Sequence, residues 1–203
     1  MGVEDRKERE RQARRAEIMC AAEALFSERG YHEVTMEAIA ERAELSKGAV
    51  YLYFASKEEL FFSLLRDRAL AFLGTLESAM QEPGSFIERL TCMVQRYFAF
   101  FEKHRPFFKL IHAEKSRMDA QVADEFRREV TELFARFIDF WERVMETGKR
   151  EGVLRDLPAI HLVHCLAGML DSFVFHWVHV GTEPSLVSES EAVVDLFLHG
   201  GGK

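Results

Sequence analysis

A short run of the sequence between positions 35 and 57 carries basic and hydroxyl-bearing side chains suited to nucleic-acid phosphates. Amines and hydroxyls bind phosphate oxygens and fix a protein's register on a duplex, although they do not read its sequence. We expect Thr35, Tyr51 and Lys57 to clamp phosphates. We expect Lys47, Ala49 and Tyr53 to face the bases or their immediate backbone. The full set of candidate DNA-binding residues is Thr35, Ser46, Lys47, Gly48, Ala49, Tyr51, Tyr53 and Lys57.

Two short helices joined by a tight turn are predicted to position these groups. Thr35 and Ser46 are N-cap candidates, and the apolar residues of 36–43 recur at helical spacing. Val50 and Phe54, four residues apart, give the second helix an inward face. The second helix of a helix–turn–helix can enter the DNA major groove. By spacing alone, a plain helical hairpin in a bundle is an equal alternative.

The stretch SKGAVYLYFASKEEL, residues 46–60, resembles the signature of the TetR family of bacterial transcriptional regulators. That signature reads Ser-Lys-Gly-x-hydrophobic-Tyr-x-Tyr/His-Phe, followed by a Lys at the start of the fourth helix. The preceding ALFSERGYHEVTMEAIAERA resembles the first two helices of the same family. One departure is Glu44, which stands where the family usually has Gly in the turn. If this position requires a positive φ, Glu44 is mildly strained there.

Helical periodicity continues to the end of the chain, and no stretch alternates as a strand would. The prediction is therefore an all-α protein of about nine helices. A helix–turn–helix domain with a basic arm is assigned to residues 1–57, and a ligand-binding and dimerisation domain to residues 58–203. The expected helices span residues 11–28, 35–43, 46–54, 56–80, 85–104, 106–115, 119–150, 158–180 and 188–199. Gly30 is a candidate left-handed cap, and Glu59 a capping-box partner for Ser56.

Composition places the chain among soluble globular proteins of one or two domains, with 203 residues of which 48% are hydrophobic and 30% charged. No uninterrupted apolar run reaches about 18 residues, so we expect no membrane span. The first residues lack the hydrophobic centre of a secretory signal. Cys20, Cys92 and Cys165 are scattered and form neither a disulfide framework nor a zinc spacing. A reducing cytoplasm is the expected compartment.

The net charge of −7 does not by itself indicate a nucleic-acid partner. Residues 6–15, however, hold six basic residues against two acidic ones. Two interpretations stay open at this point. The segment is either a mobile arm that follows phosphates or enters the minor groove, or a solvated helix start with alternating charges.

Eighteen phenylalanines are a heavy aromatic load for this length, and many fall between residues 86 and 140. Aromatic residues on neighbouring helices can line an apolar ligand pocket, although plain core packing is the alternative for any one of them. The family resemblance implies that a small inducer binds in the domain after the fourth helix. The candidate pocket residues are Met93, Tyr97, Phe98, Phe101, Phe108, His112, Phe134, Phe137, Trp141 and Asp171.

The segment 158–180 is apolar on several faces, and such a helix must be covered on all sides. With the last helix it is predicted to form a four-helix, two-fold interface with a second copy of the chain. The family resemblance implies the same homodimer through the last two helices, and burial within one chain is the alternative. The candidate dimerisation residues are Leu162, Leu166, Leu170, Phe173, Trp177, Val194 and Phe197.

Metal and enzyme sites find little support in the sequence. His161, His164 and Cys165 share one helical face, but no full ligand set surrounds them. The chain has no phosphate-binding glycine loop, no nucleophile elbow and no H-E-x-x-H motif. We therefore expect no metal, no cofactor and no catalytic residue.

Taken together, the residues predict a homodimeric, TetR-like repressor that binds a palindromic double-stranded DNA operator and is released by a small, partly apolar inducer. The inducer is expected to displace the helix that begins at Pro106 and to tilt the long helix from Ser56. This would change the spacing between the helix–turn–helix domains of the two chains, here called the heads. The overall acidity and Glu44 favour an alternative, a helical dimer whose head no longer reads DNA. Activation instead of repression is a third possibility.

Overall fold

The computed structural model describes residues 3–106, 108–109, 120–181 and 183–201, with the backbone alone for residues 3–5 and 120–130. In these ranges the chain forms α-helices and one short 3-10 helix over Leu186–Glu189, and no strand. The all-α prediction is therefore confirmed. The predicted helix over 106–115 lies largely outside the described residues. The α-helices are α1 (Val3–Arg29), α2 (Met36–Arg42), α3 (Lys47–Tyr51), α4 (Lys57–Met80), α5 (Phe86–Lys103), α6 (Ala120–Arg150), α7 (Ala159–His179) and α8 (Ser190–His199).

The helices group into two compact units. Unit 1 comprises Met1–Arg68 and Pro106–Glu129, and unit 2 comprises Ala69–Arg105 and Val130–Lys203. The helix α4 belongs to both, because residues 57–68 fall in unit 1 and residues 69–80 in unit 2.

Unit 1 is built on a core in which α1, α2, α3 and α4 bury one apolar face each. Phe26 of α1, Ile39 of α2, Val50 of α3 and Phe61 of α4 are at most 1% exposed. Phe54 closes the core just beyond the end of α3. The inward face predicted from Val50 and Phe54 is therefore confirmed.

The helices α2 and α3, which form the predicted helix–turn–helix and are called the reading helices below, begin where the sequence predicts. The Thr35 hydroxyl accepts a hydrogen bond from the Ala38 amide at 3.2 Å, and the Ser46 hydroxyl accepts one from the Ala49 amide at 3.2 Å. Each cap satisfies an amide that the first helical turn cannot pair. The helix α3 ends at Tyr51, shorter than the predicted 46–54.

Glu44 adopts the strained conformation that its place in the turn implies, with φ at 56°. The neighbouring Leu45 amide donates to the Ala40 carbonyl at 2.9 Å and closes the end of α2. An L-residue in the left-handed region brings its Cβ close to the backbone, whereas glycine avoids this contact. Gly30, with φ at 83°, ends α1 as predicted.

The start of α4 differs slightly from the predicted capping box. The Glu59 amide donates to the Ser56 hydroxyl at 3.1 Å, as expected. The Glu59 carboxylate, however, accepts from the Ala55 amide at 2.7 Å, which lies one residue before the cap.

The helix α1 begins at Val3, well before the predicted residue 11, so the basic segment 6–15 is helical. Exposed pairs join Arg6 to Glu10 at 2.8 Å and Arg14 to Glu17 at 2.7 Å. These contacts agree with the interpretation of a solvated helix start with alternating charges.

Unit 2 packs α5, α7, α8 and the 3-10 helix around one core, to which α4 and α6 also contribute. The start of α5 is fixed by a capping box between Ser85 and Glu88. Seven residues of α7 are buried in this core. Of the described residues, α7 alone forms a helix long and apolar enough to cross a membrane.

Replacing Glu44 by glycine is expected to stabilise the protein. Relief of the left-handed strain exceeds the added chain entropy of glycine by about 0.5–1 kcal/mol. For a chain of this size that gain raises Tm by about 1–4 °C. Thermal unfolding of Glu44→Gly against Glu44→Ala measures it, because alanine removes the carboxylate but keeps the Cβ. Equal Tm values for the two variants would show that the strain relieved at this position does not exceed the entropy cost of glycine.

Candidate nucleic-acid interface and ligand-binding unit

The exposed side of α3 presents a narrow, largely uncharged surface. Tyr51 is 42% exposed and Leu52, at the C-cap, is 81% exposed. At Gly48, nothing lies within 4 Å of the place where a Cβ would be. Thr35 and Ser46 are exposed beside this surface, whereas Ala49 and Tyr53 are half-buried. The structure thus places the predicted residues of α3 around one accessible face.

Leu52 is a feature of this face that the prediction from sequence omits. It lies two residues after Val50 and two before Phe54, both buried, so it points to the opposite side. That spacing was the available signal. Single exposed apolar side chains are ordinary on protein surfaces, so Leu52 is of interest because it lies next to the exposed Tyr51 on the same accessible face.

Lys47, the one charged residue of α3, is bound to Glu37 of α2. The hydrogen bond with Glu37 raises the pKa of Lys47, and the same bond lowers the pKa of Glu37. The Lys47 ammonium also lies 5.8 Å from the centre of the Tyr51 ring. Both charged side chains are about half exposed, so a phosphate can compete with Glu37 for the lysine.

Lys57 turns toward the protein in the described conformation. Its ammonium donates to the backbone carbonyls of Tyr31 and Val34, both at 2.9 Å, and lies 3.4 Å from that of His32. It also sits 4.4 Å from the centre of the Tyr31 ring. The predicted phosphate contact stays untested, but the geometry gives Lys57 a partner within the chain.

Arg15 is likewise directed inward, at the end of the basic segment of α1. Its guanidinium lies 5.1 Å from the centre of the Phe54 ring and 3.1 Å from Asp67. Lys7 and Arg11, by contrast, are exposed. Basic groups of the early turns of α1 are therefore accessible to a nucleic acid, as is the half-exposed Lys47 of α3.

Unit 2 contains an aromatic cluster centred on Phe72 of α4, a residue absent from the predicted pocket. The ring of Phe72 stacks on Phe100 at 4.6 Å between centroids and meets Tyr97 at 5.1 Å. It also contacts Phe101 at 5.5 Å and Phe137 at 5.4 Å. The rings pack on one another, so a ligand chain has to separate them to enter.

Tyr97 connects this cluster to α7. Its side chain is buried, and its hydroxyl donates to Asp171 at 2.8 Å. Burial raises the pKa of Tyr97 well above its ordinary value, and the charge of Asp171 and the hydrogen bond act in the same direction. Four polar residues, His112, His176, Tyr97 and Asp171, are predicted to orient a ligand, and the last two are therefore in contact with each other.

The other predicted pocket residues do not all lie in one place. Met93, Phe98 and Trp141 are buried in the same core as the cluster. Phe134 is 61% exposed and lies apart from it. Phe108 falls in the segment grouped with unit 1, and His112 lies outside the described residues.

The residues proposed for dimerisation mostly face the inside of unit 2. Leu166 and Leu170 are fully buried. Leu162, Trp177 and Val194 are at most 9% exposed. Phe173 and Phe197 pack against the same core. Five of the seven are therefore covered within their own chain, Phe173 and Phe197 are partly so, and their role in a dimer stays a prediction. A different face of α7 is open, formed by His161, His164, Cys165, Gly168, Asp171, Ser172, Phe175, His176 and His179.

An open groove of about 360 Å³ lies between α7 and the connection to α8. Phe173, Trp177 and Leu186 form its apolar wall, and His176 and Glu189 lie at its polar side. Its volume is at the lower end of that of small-molecule sites.

Two family models together match most of the chain. A model described as bacterial regulatory proteins, tetR family, matches residues 18–64. A second, described as the C-terminal region of YsiA-like protein, matches residues 65–200. The fatty acid metabolism regulator protein of Bacillus subtilis (strain 168) is 23% identical over 185 residues, which cover 91% of this chain and 93% of that protein.

Solved structures share the fold. The fatty acid degradation regulator FadR from Bacillus halodurans superposes with a TM-score of 0.80 at 24% identity, covering 93% of this chain and 96% of that one. FadR from Bacillus subtilis in complex with stearoyl-CoA gives a TM-score of 0.78 at 22% identity, covering 92% and 99%. These proteins are transcriptional regulators, not enzymes.

Replacing Tyr97 by phenylalanine is expected to cost about 1 kcal/mol at pH 8, because a hydrogen bond to a carboxylate is lost. In the wild type the folded tyrosine stays protonated above pH 10, where the unfolded one ionises. Its contribution is therefore complete below pH 10 and lost as pH rises above it. Chemical denaturation at several pH values between 8 and 11 should show the gap between wild type and Tyr97→Phe shrinking. A gap independent of pH would contradict the assignment.

Proposed function

The chain belongs to the TetR family of bacterial regulatory proteins, and on that premise we propose that it is a dimeric repressor released from a palindromic operator by a long-chain acyl thioester. The observation that carries the DNA-binding part is the exposed face of α3, held by two side-chain caps over a filled core. Members of the family are DNA-binding transcriptional regulators with a helix–turn–helix at one end and a ligand-binding region after it.

Base reading by this head relies on few side chains. The five residues of α3 span only about 7.5 Å, so each head covers a short half-site. Lys47 is suited to guanine and Leu52 to the methyl group of thymine. Tyr51, Tyr53 and Thr35 are suited to phosphates. Lys7 and Arg11 on the early turns of α1 are proposed to add sequence-independent attraction.

Two copies are needed to read a palindrome, and we propose that they meet through the open face of α7 and the neighbouring α8. Phe175 is 56% exposed there and Leu196 of α8 is 40% exposed. Gly168 leaves free space above the helix, which permits a second helix to approach closely. A two-fold axis pairs the same patch on both chains.

The proposed inducer follows from the relatives and from the aromatic cluster. One structural neighbour was solved in complex with stearoyl-CoA, and one relative in sequence is a regulator of fatty acid metabolism. An acyl chain inserted beside Phe72 would exchange ring contacts for chain contacts. Because Phe72 lies on α4, which also contributes Phe61 to the core of unit 1, the insertion acts on a helix shared with the head. Release requires that the ligand bind the DNA-incompetent state better.

The DNA-binding proposal is tested with duplexes selected from random sequence. Leu52→Ala is expected to weaken specific binding by about 1–2 kcal/mol per half-site, or roughly 5- to 30-fold. The salt dependence should stay unchanged, since leucine neutralises no phosphate. Fluorescence anisotropy at several salt concentrations measures both, and sedimentation should find two chains on each duplex.

Ile87→Ala is the matched control, because Ile87 is an exposed apolar residue of unit 2. Equal affinity of Leu52→Ala and wild type would remove Leu52 from the interface. Wild-type protein that shows no salt-dependent DNA affinity would leave the alternative, a helical dimer that does not read DNA.

The ligand proposal is tested with palmitoyl-CoA. At a hundred times its Kd, it should raise Tm by about 5–10 °C and weaken operator binding by roughly 5- to 150-fold. Free CoA should do neither. Phe101→Ala should weaken both effects, because Phe101 stacks on Tyr97 in the cluster. Phe134→Ala, an exposed phenylalanine outside the cluster, is the control. An effect of free CoA equal to that of palmitoyl-CoA would refute recognition of the acyl chain.

A further inference from the structure

We infer that Lys57 is a positioning residue. Its side chain holds the connection between α1 and α2 against the first turn of α4. The reading helices and the start of α4 then move as one body. This inference rests on the proposed function, since the positioning matters for DNA binding. It differs from the phosphate contact expected from the sequence, because it assigns the ammonium to the protein's own backbone.

The geometry around the ammonium supports this role. An ammonium has three protons, and the carbonyls of Tyr31 and Val34 at 2.9 Å and of His32 at 3.4 Å surround it. The Tyr31 ring, 4.4 Å away, adds a cation–π contact. The bonds to Tyr31 and Val34 are partly buried, where charge-assisted hydrogen bonds are stronger than in water. A phosphate would have to displace these carbonyls to take the lysine.

The connection between α1 and α2 lies immediately before α2, the first reading helix. Val34 is buried, and the next residue, Thr35, caps α2. The position of the Val34 carbonyl therefore sets where α2 begins. The helix α2 in turn holds α3 through the tight turn at Glu44 and through the shared core, in which Ile39 and Val50 are both buried. A shift of the connection is transmitted to the DNA-reading face by this route.

Further contacts tie the same part of α4 to α1 and to the connection. The Tyr31 hydroxyl donates to Glu58 at 2.9 Å. Farther along α4, Asp67 pairs with Arg15 at 3.1 Å and Arg68 pairs with Glu23. Lys57 is the member of this set that contacts the entry to α2 directly.

The experiment compares Lys57→Met with wild type, first without DNA. Loss of the carbonyl contacts should speed hydrogen exchange of the amides in residues 31–36 at least about tenfold, and lower Tm by roughly 4–8 °C. With operator DNA, the affinity should fall about tenfold while the slope of log affinity against log salt stays the same. Lys57→Arg should recover part of the exchange protection, since a guanidinium also donates to carbonyls. The arginine variant keeps the positive charge, so it serves as the comparison if the methionine variant does not fold.

A phosphate contact predicts a different result. The salt slope would then decrease by about 0.9 for each Lys57 removed, and exchange in residues 31–36 would not change. That outcome would overturn the inference. Ile39→Val, a core change in α2, controls for general loss of stability. If it lowers Tm equally and weakens DNA binding equally, Lys57 has no special positioning role. Failure of the wild type to bind any DNA would refute the proposed function. The exchange measurement would still test whether Lys57 holds the connection between α1 and α2 in place.

Discussion

Burial of α4 in two separate cores is the constraint on which the rest of the structure depends. In unit 1 the helix buries Leu60, Phe61 and Leu64, and in unit 2 it buries Phe72 and Leu76. Each fully buried side chain of this kind contributes about 1.5–3 kcal/mol. A rotation or shift of either half exposes part of such a set, so each half is held firmly by its own unit. The reading helices and the aromatic cluster are each organised around one half.

Charge is distributed so that an acidic chain can present a DNA-compatible face. Lys47 is held beside Glu37, and Arg15 beside Asp67. Exposed pairs of this kind add little to stability, typically about 0–1 kcal/mol. They do keep the positive groups near α3 paired when DNA is absent, so the net charge of −7 says little about the local surface. Such a head gains from DNA only where phosphates compete successfully with its own carboxylates.

Local features of the fold were predictable from the sequence because their causes are local. The caps at Thr35 and Ser46 and the left-handed Gly30 depend on a few neighbouring residues. The strain at Glu44 was recognised because glycine is the usual residue at that point of the turn. The start of α1 was missed, since alternating charges carry no apolar period from which a helix can be predicted.

Long-range features, in contrast, depend on which distant residues meet. The leucines of α7 have the period of a buried face, but the period does not say whether the cover is the same chain or a second one. The structure shows the same chain for Leu166 and Leu170. The three carbonyls around Lys57 lie more than twenty residues before it, and no motif signals them.

The distribution of burial along α4 locates where a regulatory movement can be absorbed. Between Leu64 and Phe72 no residue of the helix is fully buried, and only Leu65, at the start of this interval, packs against the core of unit 1. Gly74 follows it, and glycine inside a helix lowers helix stability by roughly 0.5–1 kcal/mol. The Thr75 hydroxyl bonds back to the Ala71 carbonyl at 2.8 Å, a contact that favours helix bending. A coupling of about 1–3 kcal/mol is smaller than the free energy that holds either core together, since each buried apolar side chain alone contributes about 1.5–3 kcal/mol. In the proposed mechanism, ligand and DNA oppose each other through α4 while both cores stay intact.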